Sequence, residues 1–325
     1  MTKQKADDEY NNFVRWHAGT NLEIALIGTS HSRKWDIRLG YPMGDLRKPH
    51  TIPTVMYFKA KTIIKYHPET KVVYLEADDH LFFNGEHYTL DGFTPEQKRN
   101  SKVFEWNGNF IDGDDEKHIV FGEVAPYSAT PKLLLQDDVR PIVIKRIMAN
   151  IYTGLKPAAL SSAPVNFVEN WCNFSSLYPE NVDLNHDSTW SIRTQQDKNE
   201  RMANRIIEHH LDQPGPMKDS MLVYYEKTIK ILKDHNIDVV LVLNPEAKEF
   251  EARKNPEGQK IHQEFIHMLA DKYQLRILDF RELSAYGDRF FEDADHVADD
   301  WGWVLGKKIM QDFCSSYQNA APDNT

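Results

Sequence analysis

The sequence predicts an α/β fold, a three-layer sandwich with helices on both sides of a central parallel sheet. Three observations lead there. Four short runs, residues 23–27, 71–75, 239–243 and 275–280, are nearly continuous in apolar residues, as strands covered on both faces are. Helix-period stretches at 55–66, 219–233, 261–273 and 301–313 alternate with them, which is the order of crossover units. Hydrophobic residues make up 41% and charged residues 27% of the 325, so collagen-like, coiled-coil and disordered chains are excluded.

Each element follows from local chemistry. Residues 23–27 read E-I-A-L-I, stop at Gly28 and give way to a polar segment, 29–33. Residues 55–66 follow Pro53 and Thr54 and end before Pro68, as a capped helix does. Residues 71–75 read K-V-V-Y-L and close on Glu76, Asp78 and Asp79. Residues 80–135 hold Asn84-Gly85, Asp91-Gly92, Asn107-Gly108 and Asp112-Gly113 between short aromatic stretches, the signature of hairpins, and predict a β-rich insertion. Residues 139–155 read as helix, and 156–216 as an irregular, aromatic-rich region of loop and helix. Leu222, Tyr225, Ile229 and Leu232 share one helical face, and Ile261, Phe265, Met268 and Leu269 another. Between those helices, V-V-L-V-L is closed by Asn244-Pro245. Residues 1–325 are expected to form a single domain around the insertion.

Charge and composition narrow the function classes. Lys plus Arg is 39 against 49 for Asp plus Glu, a net charge of −10 that disfavours a nucleic-acid backbone binder. No apolar run is long enough to span a bilayer, and residues 1–12 lack the apolar core of a signal peptide. Cys172 and Cys314 make no disulfide framework and no CxxC knuckle. The expectation is a soluble cytoplasmic protein, an exported chain trimmed of its anchor being the alternative. Metal and cofactor are not expected. His209 and His210 are adjacent, His262 and His267 are five apart, and no HExxH occurs. Neither a Walker A motif nor a strand-borne GxGxxG is present.

Ligands of open parallel sheets bind beyond the carboxyl ends of the strands. After the first strand comes Gly28-Thr29-Ser30-His31-Ser32, which offers a nucleophilic hydroxyl and a nearby N–H, or simply a turn of small polar residues. After the last strand comes Phe291-Glu292-Asp293-Ala294-Asp295-His296, where Asp293 could orient His296 as a base. Helix capping near Asp299 and Asp300 is the competing reading.

Together, the strand-end Gly28-x-Ser30 and the late Asp293-x-x-His296 resemble the SGNH/GDSL hydrolase superfamily. The resemblance implies Ser30 as nucleophile, His296 as general base and Asp293 as its partner. The ending Asp295-His296, then Gly302 leading into a helix, is similar too. The chain departs from the family at the oxyanion blocks. The family glycine falls at Gly40 or Gly44, and Glu76-Ala77-Asp78-Asp79 stands where an asparagine is expected. Thr29 replaces the usual Asp. These departures resemble the branch of alginate O-acetyltransferases and the D-alanyl-transfer protein of teichoic-acid modification. The implied activity is a serine esterase or O-acyltransferase acting on a small-molecule or carbohydrate acyl ester.

A carboxylate beside a developing oxyanion is repulsive unless protonated or turned away. The donors then have to be backbone N–H groups near Gly28 and Ser30, or the Arg33 side chain, which is equally an ordinary surface arginine. Asp78 and Asp79 are left to cap the next element or to bind a substrate hydroxyl. His31 is expected to line the pocket, or simply to pack in the turn, rather than to act as base. Trp171 and Trp190 could stack a sugar or form a small core under loops. Two rivals remain open: a non-catalytic SGNH-like binding or assembly module, and a metal-assisted hydrolase using Asp78, Asp79, Asp293 and His296.

Overall fold

A computed structural model describes residues 23–36, 44–47, 53–83, 187–212, 217 and 219–317. Five strands, β1 (Ile24–Gly28), β2 (Gly44–Arg47), β3 (Val72–Glu76), β4 (Asp238–Leu243) and β5 (Arg276–Asp279), form one sheet in the order β2-β1-β3-β4-β5. Every pairing is parallel. The chain is an α/β fold. β1 and β3 are buried at every residue, which explains why their apolar runs do not alternate.

The helices are α1 (Pro53–Tyr66), the single turn α2 (His80–Phe83), α3 (Gln195–Glu208), α4 (Asp219–Asp234), the short α5 (Lys248–Glu251), α6 (Pro256–Tyr273) and α7 (Gly302–Tyr317). The steps β2→β3, β3→β4 and β4→β5 all run the same way across the sheet. Right-handed crossovers therefore put α1, α4 and α6 on one face. α4 packs against α1, α6 and β4. α7 covers the other face, where the buried Tyr74 hydroxyl donates to Asp312 at 2.7 Å.

Element ends follow from caps. α6 begins five residues before the apolar periodicity does, because Asn255 Oδ1 accepts the N–H groups of Glu257 (2.9 Å) and Gly258 (3.2 Å) and Pro256 opens the first turn. It stops where Gln274 turns left-handed at φ 54°. Thr194 caps α3 by accepting the N–H of Asp197 at 3.2 Å. α3 falls inside 156–216, expected to hold loop and helix, and its sequence, Q-Q-D-K-N-E-R-M-A-N-R-I-I-E, has few apolar residues to mark its bounds. β2 went unseen for a related reason: G-D-L-R is a short polar edge strand.

Of the expected insertion at 80–135, only the turn His80–Phe83 is described, and it is helical. The hairpins, the helix at 139–155 and Trp171 lie outside the described residues. Trp190 is buried, with the Lys198 ammonium 5.7 Å above its ring, so it belongs to the core rather than to a sugar platform. Cys314, which with Cys172 was expected to make no disulfide framework, is disulfide-bonded. No described helix is long and apolar enough to cross a membrane.

Candidate active site

β1 delivers residues 29–32 to the carboxyl edge of the sheet, where the chain folds into the 3-10 turn Ser32–Lys34. The turn is tied down by Glu76, at the carboxyl end of neighbouring β3. Glu76 Oε2 accepts the N–H groups of Thr29 (2.7 Å) and Ser32 (3.2 Å), and Oε1 accepts the Thr29 hydroxyl (2.5 Å). Thr29 is thereby committed to structure. A Cβ on Gly28 would stand 2.1 Å from Ser32 Oγ and 2.5 Å from Glu76 Oε2, so the close approach requires glycine. Ser30, between the two anchored residues, is left facing the loop that follows β5.

That loop is shaped by Asp293. Its Oδ1 accepts the N–H groups of Asp295 (3.0 Å) and His296 (2.9 Å), a local turn that brings the His296 ring back over the same carboxylate. Nδ1 of His296 lies 3.0 and 3.1 Å from the Asp293 oxygens, and Nε2 lies 3.0 Å from Ser30 Oγ. With Nδ1–H directed at Asp293, Nε2 is free to accept the serine proton. A main-chain bond from Glu292 N to His296 O at 2.9 Å closes the loop, and Gly302 lets α7 approach the 3-10 turn, since a Cβ there would meet Lys34 O at 2.2 Å.

Behind the serine lies a buried network of charge. His31 is fully enclosed. Its Nδ1 is 3.0 Å from Asp78 Oδ2 and its Nε2 3.2 Å from Asp295 Oδ2. Burial opposes its charge, but hydrogen bonds to both carboxylates outweigh that and hold its pKa well above 6.5. It is an imidazolium. Asp78 also accepts the N–H (2.8 Å) and the side-chain amide (2.8 Å) of Asn244, whose Oδ1 takes Trp35 Nε1 at 2.6 Å. Asp295 Oδ2 takes Arg205 Nε at 2.8 Å. Burial works against the Asp295 charge, yet His296 and His31 hold its pKa well below 3.8. His80 and His209 stay neutral: burial, then the charge of His31 or Arg205, presses the first well below 6.5 and the second to about 3. For His296, burial and the neighbouring His31 charge are outweighed by Asp293 and Asp295, and its pKa is raised above 6.5.

The structure thus places Ser30, His296 and Asp293 in contact. The other candidates fare differently. Gly28 makes room for Ser32 and Glu76. Gly44 pairs with Ala25, five residues before Ser30 along β1, which puts it ~16 Å back at about 3.3 Å per residue, away from any oxyanion position. Arg33 is exposed. His31 packs in the turn, buried, with both ring nitrogens on carboxylates. Asp78 and Asp79 turn inward, Asp79 Oδ2 accepting Lys254 Nζ at 2.7 Å, and do not cap α2 with their side chains. Asp295, Arg205, Asn244 and Glu76 were missed. The strand-end rule applied to β4 would have found Asn244.

Two groups bring possible metal-ligand atoms within 4.8 Å of one another: His31, Glu76, Asp78 and His80, and His31, Asp295 and His296. Spacing along the chain gave no sign of either. His31 faces Asp78 and Asp295, and His296 faces Asp295, as acid–imidazole pairs, while the neutral His80 stands 3.6 Å from Glu76. Beside it, a cleft of about 160 Å³ at the ends of β3 and β4 is lined by Asp78, Asp79, Asn244, Glu246 and Lys254. Lys254 there is clamped by Asp79 and Glu246, and burial, opposed mainly by Lys254, pushes Glu246 up to about 8. Ser30 and His296 do not line it.

A scan against protein-family models finds no match, and a search of curated proteins finds none of significant similarity.

Proposed function

We propose that the protein is a serine esterase or O-acyltransferase of SGNH-like, three-layer architecture. The observation that carries this is the contact of His296 Nε2 with Ser30 Oγ at 3.0 Å while Nδ1 rests on Asp293. In this reading His296 takes the proton as Ser30 Oγ adds to an ester carbonyl. The protonated ring then hands that proton to the departing alkoxide, which leaves an acyl-enzyme. Water or a substrate hydroxyl, deprotonated by His296, attacks the acyl carbon and frees Ser30. The Ser30 N–H, at the carboxyl end of β1, is the backbone donor proposed for the oxyanion. A small-molecule or carbohydrate acyl ester is the proposed substrate class.

The raised pKa of His296 supports the assignment, since Asp293 and Asp295 stabilise the protonated ring that the mechanism requires. A non-catalytic binding module would have no need to hold the serine hydroxyl on the imidazole. The Cys314 disulfide favours an oxidising compartment, hence the exported alternative over the cytoplasmic one.

The test is turnover of a short-chain aryl ester together with labelling by a fluorophosphonate probe. Wild type should react at Ser30, and Ser30→Ala and His296→Ala should abolish both signals with the fold intact. Retained turnover in the two variants would sink the triad, and an unlabelled wild type would favour the binding module.

A further inference from the structure

Two carboxylates face Nδ1 of His296, and they differ in state. The Asp293 side chain is 42% exposed, and its Oδ1 already serves two main-chain N–H groups. The Asp295 side chain is 2% exposed, and its Oδ1 stands 3.2 Å from Nδ1 without an aligned hydrogen bond. The opposite oxygen is pinned by Arg205 and His31. Carboxylates so deeply buried normally take up a proton, but His296 on one side and His31 on the other keep this one ionised, with the Arg205 guanidinium on the same oxygen as His31.

We propose that Asp295 is a second carboxylate for the His296 ring, a positioning residue that Arg205 and His31 hold aimed at Nδ1. The inference rests on the reading of His296 as the base. A small rotation of the ring moves the Nδ1–H from Asp293 toward Asp295. That oxygen is shielded from water, where a charge acts more strongly than at the exposed Asp293. The titratable and charged groups facing Asp295 are His31 from the β1 turn, His80 from α2, Arg205 from α3, His209 from its C-cap, and His296 from its own loop. Of these, His80 and His209 are neutral, so the cations on Asp295 Oδ2 are His31 and Arg205. Glu208 takes the far end of the Arg205 guanidinium at 3.1 Å and fixes its direction.

The experiment is an NMR titration of His296 in the full chain, run beside the pH profile of aryl-ester hydrolysis, for wild type and Asp295→Asn. The expected result is a His296 midpoint lowered by about one unit, a ten-fold change in its proton affinity. The acid limb of kcat/KM should move by the same amount, and kcat should fall at least ~10-fold with KM little changed. A folded Asp295→Asn with a wild-type His296 midpoint overturns the proposal. Lost thermal stability alone would mark a merely structural role and overturn it too. If Asp295→Asn fails to fold, Arg205→Gln, at the half-buried end of the chain of charges, takes its place: kcat falls and Arg205→Lys restores it. Wild-type kcat in folded Arg205→Gln overturns the proposal. Should wild type neither turn over esters nor label at Ser30, the esterase reading fails, while the NMR midpoint still decides the role of Asp295.

Discussion

Replacing Glu76 by alanine should loosen the nucleophile turn while touching neither Ser30 nor His296. Glu76 is fully buried and accepts three hydrogen bonds, from Thr29 N, Thr29 Oγ1 and Ser32 N. The hydroxyl can rotate to another acceptor, but the two main-chain N–H groups cannot. Each buried donor left unpaired costs about 1–3 kcal/mol. The Ser32 bond is long at 3.2 Å, so its loss sits at the low end. A loss of about 3 kcal/mol is therefore expected, less whatever a water entering the vacated space restores. Glu76→Gln keeps the volume and one accepting oxygen for both N–H groups, and should cost about 1 kcal/mol, because only the Thr29 hydroxyl must find a new partner. Urea denaturation measures both losses from the midpoint at constant slope. The rate of fluorophosphonate labelling at Ser30 reports the positioning, and should fall in Glu76→Ala and stay near wild type in Glu76→Gln. A Glu76→Ala protein within ~1 kcal/mol of wild type, labelled at the wild-type rate, would refute the anchoring argument.

Other outcomes follow from the same geometry. His296 must be neutral to act and its pKa is raised above 6.5, so kcat/KM should climb with pH through a limb lying above pH 6.5; a limb below that value contradicts the assignment. Asp293→Asn should slow aryl-ester turnover by less than the ~10⁴ seen when a lone triad carboxylate is lost, because Asp295 still faces Nδ1; a full loss would leave Asp293 as the working acid. Gly28→Ala should destabilise the chain by about 1–3 kcal/mol in urea, since the added Cβ has to push Ser32 or Glu76 aside, and an unchanged midpoint would mean the turn is softer than described. Thiol titration of the denatured, unreduced protein should find none of the chain's two cysteines free and both after reduction; two free thiols at the start would restore the cytoplasmic expectation.

What was legible in the sequence was what short stretches of chain decide. β1, β3 and β4 could be read as apolar runs because both of their faces are covered, the half-buried edge strand β5 from its Ile277-Leu278 pair, and α1, α4, α6 and α7 through their periodic faces. β2 was not read and the bounds of α3 were not placed, because a polar edge strand and a polar helix take their place from pairing and capping rather than from apolar pattern. The same division holds at the site. Asp293 and His296 are three residues apart and meet through a local turn, and Ser30 is marked by the end of a strand. The network behind them joins residues 47, 90 and 264 positions apart, as in His31–Asp78, Arg205–Asp295 and His31–Asp295. No spacing rule spans such intervals. Only the strand order, which sets β3 beside β1 and β4 beside β3, brings them together.

That network also answers the difficulty posed by an acid where an asparagine is expected. Asp78 would repel a negative charge forming at Ser30 if it faced it. Instead its two oxygens are turned to Asn244 and His31, so the charge is met by an amide, a main-chain N–H and an imidazolium. One buried cation then requires a second acid on its other nitrogen, because each His31 nitrogen must donate, and Asp295 supplies it. Asp295 in turn carries more negative charge than His31 alone relieves beside Asp293, and Arg205 from α3 completes the balance. Each member is there because the previous one would be too costly to bury unpaired. Breaking any link by a neutral substitution leaves its neighbour charged and dry, so the loss should propagate: His31→Gln is expected to disturb Asp78 at one end and the His296 ring at the other, though it is itself neither nucleophile nor base.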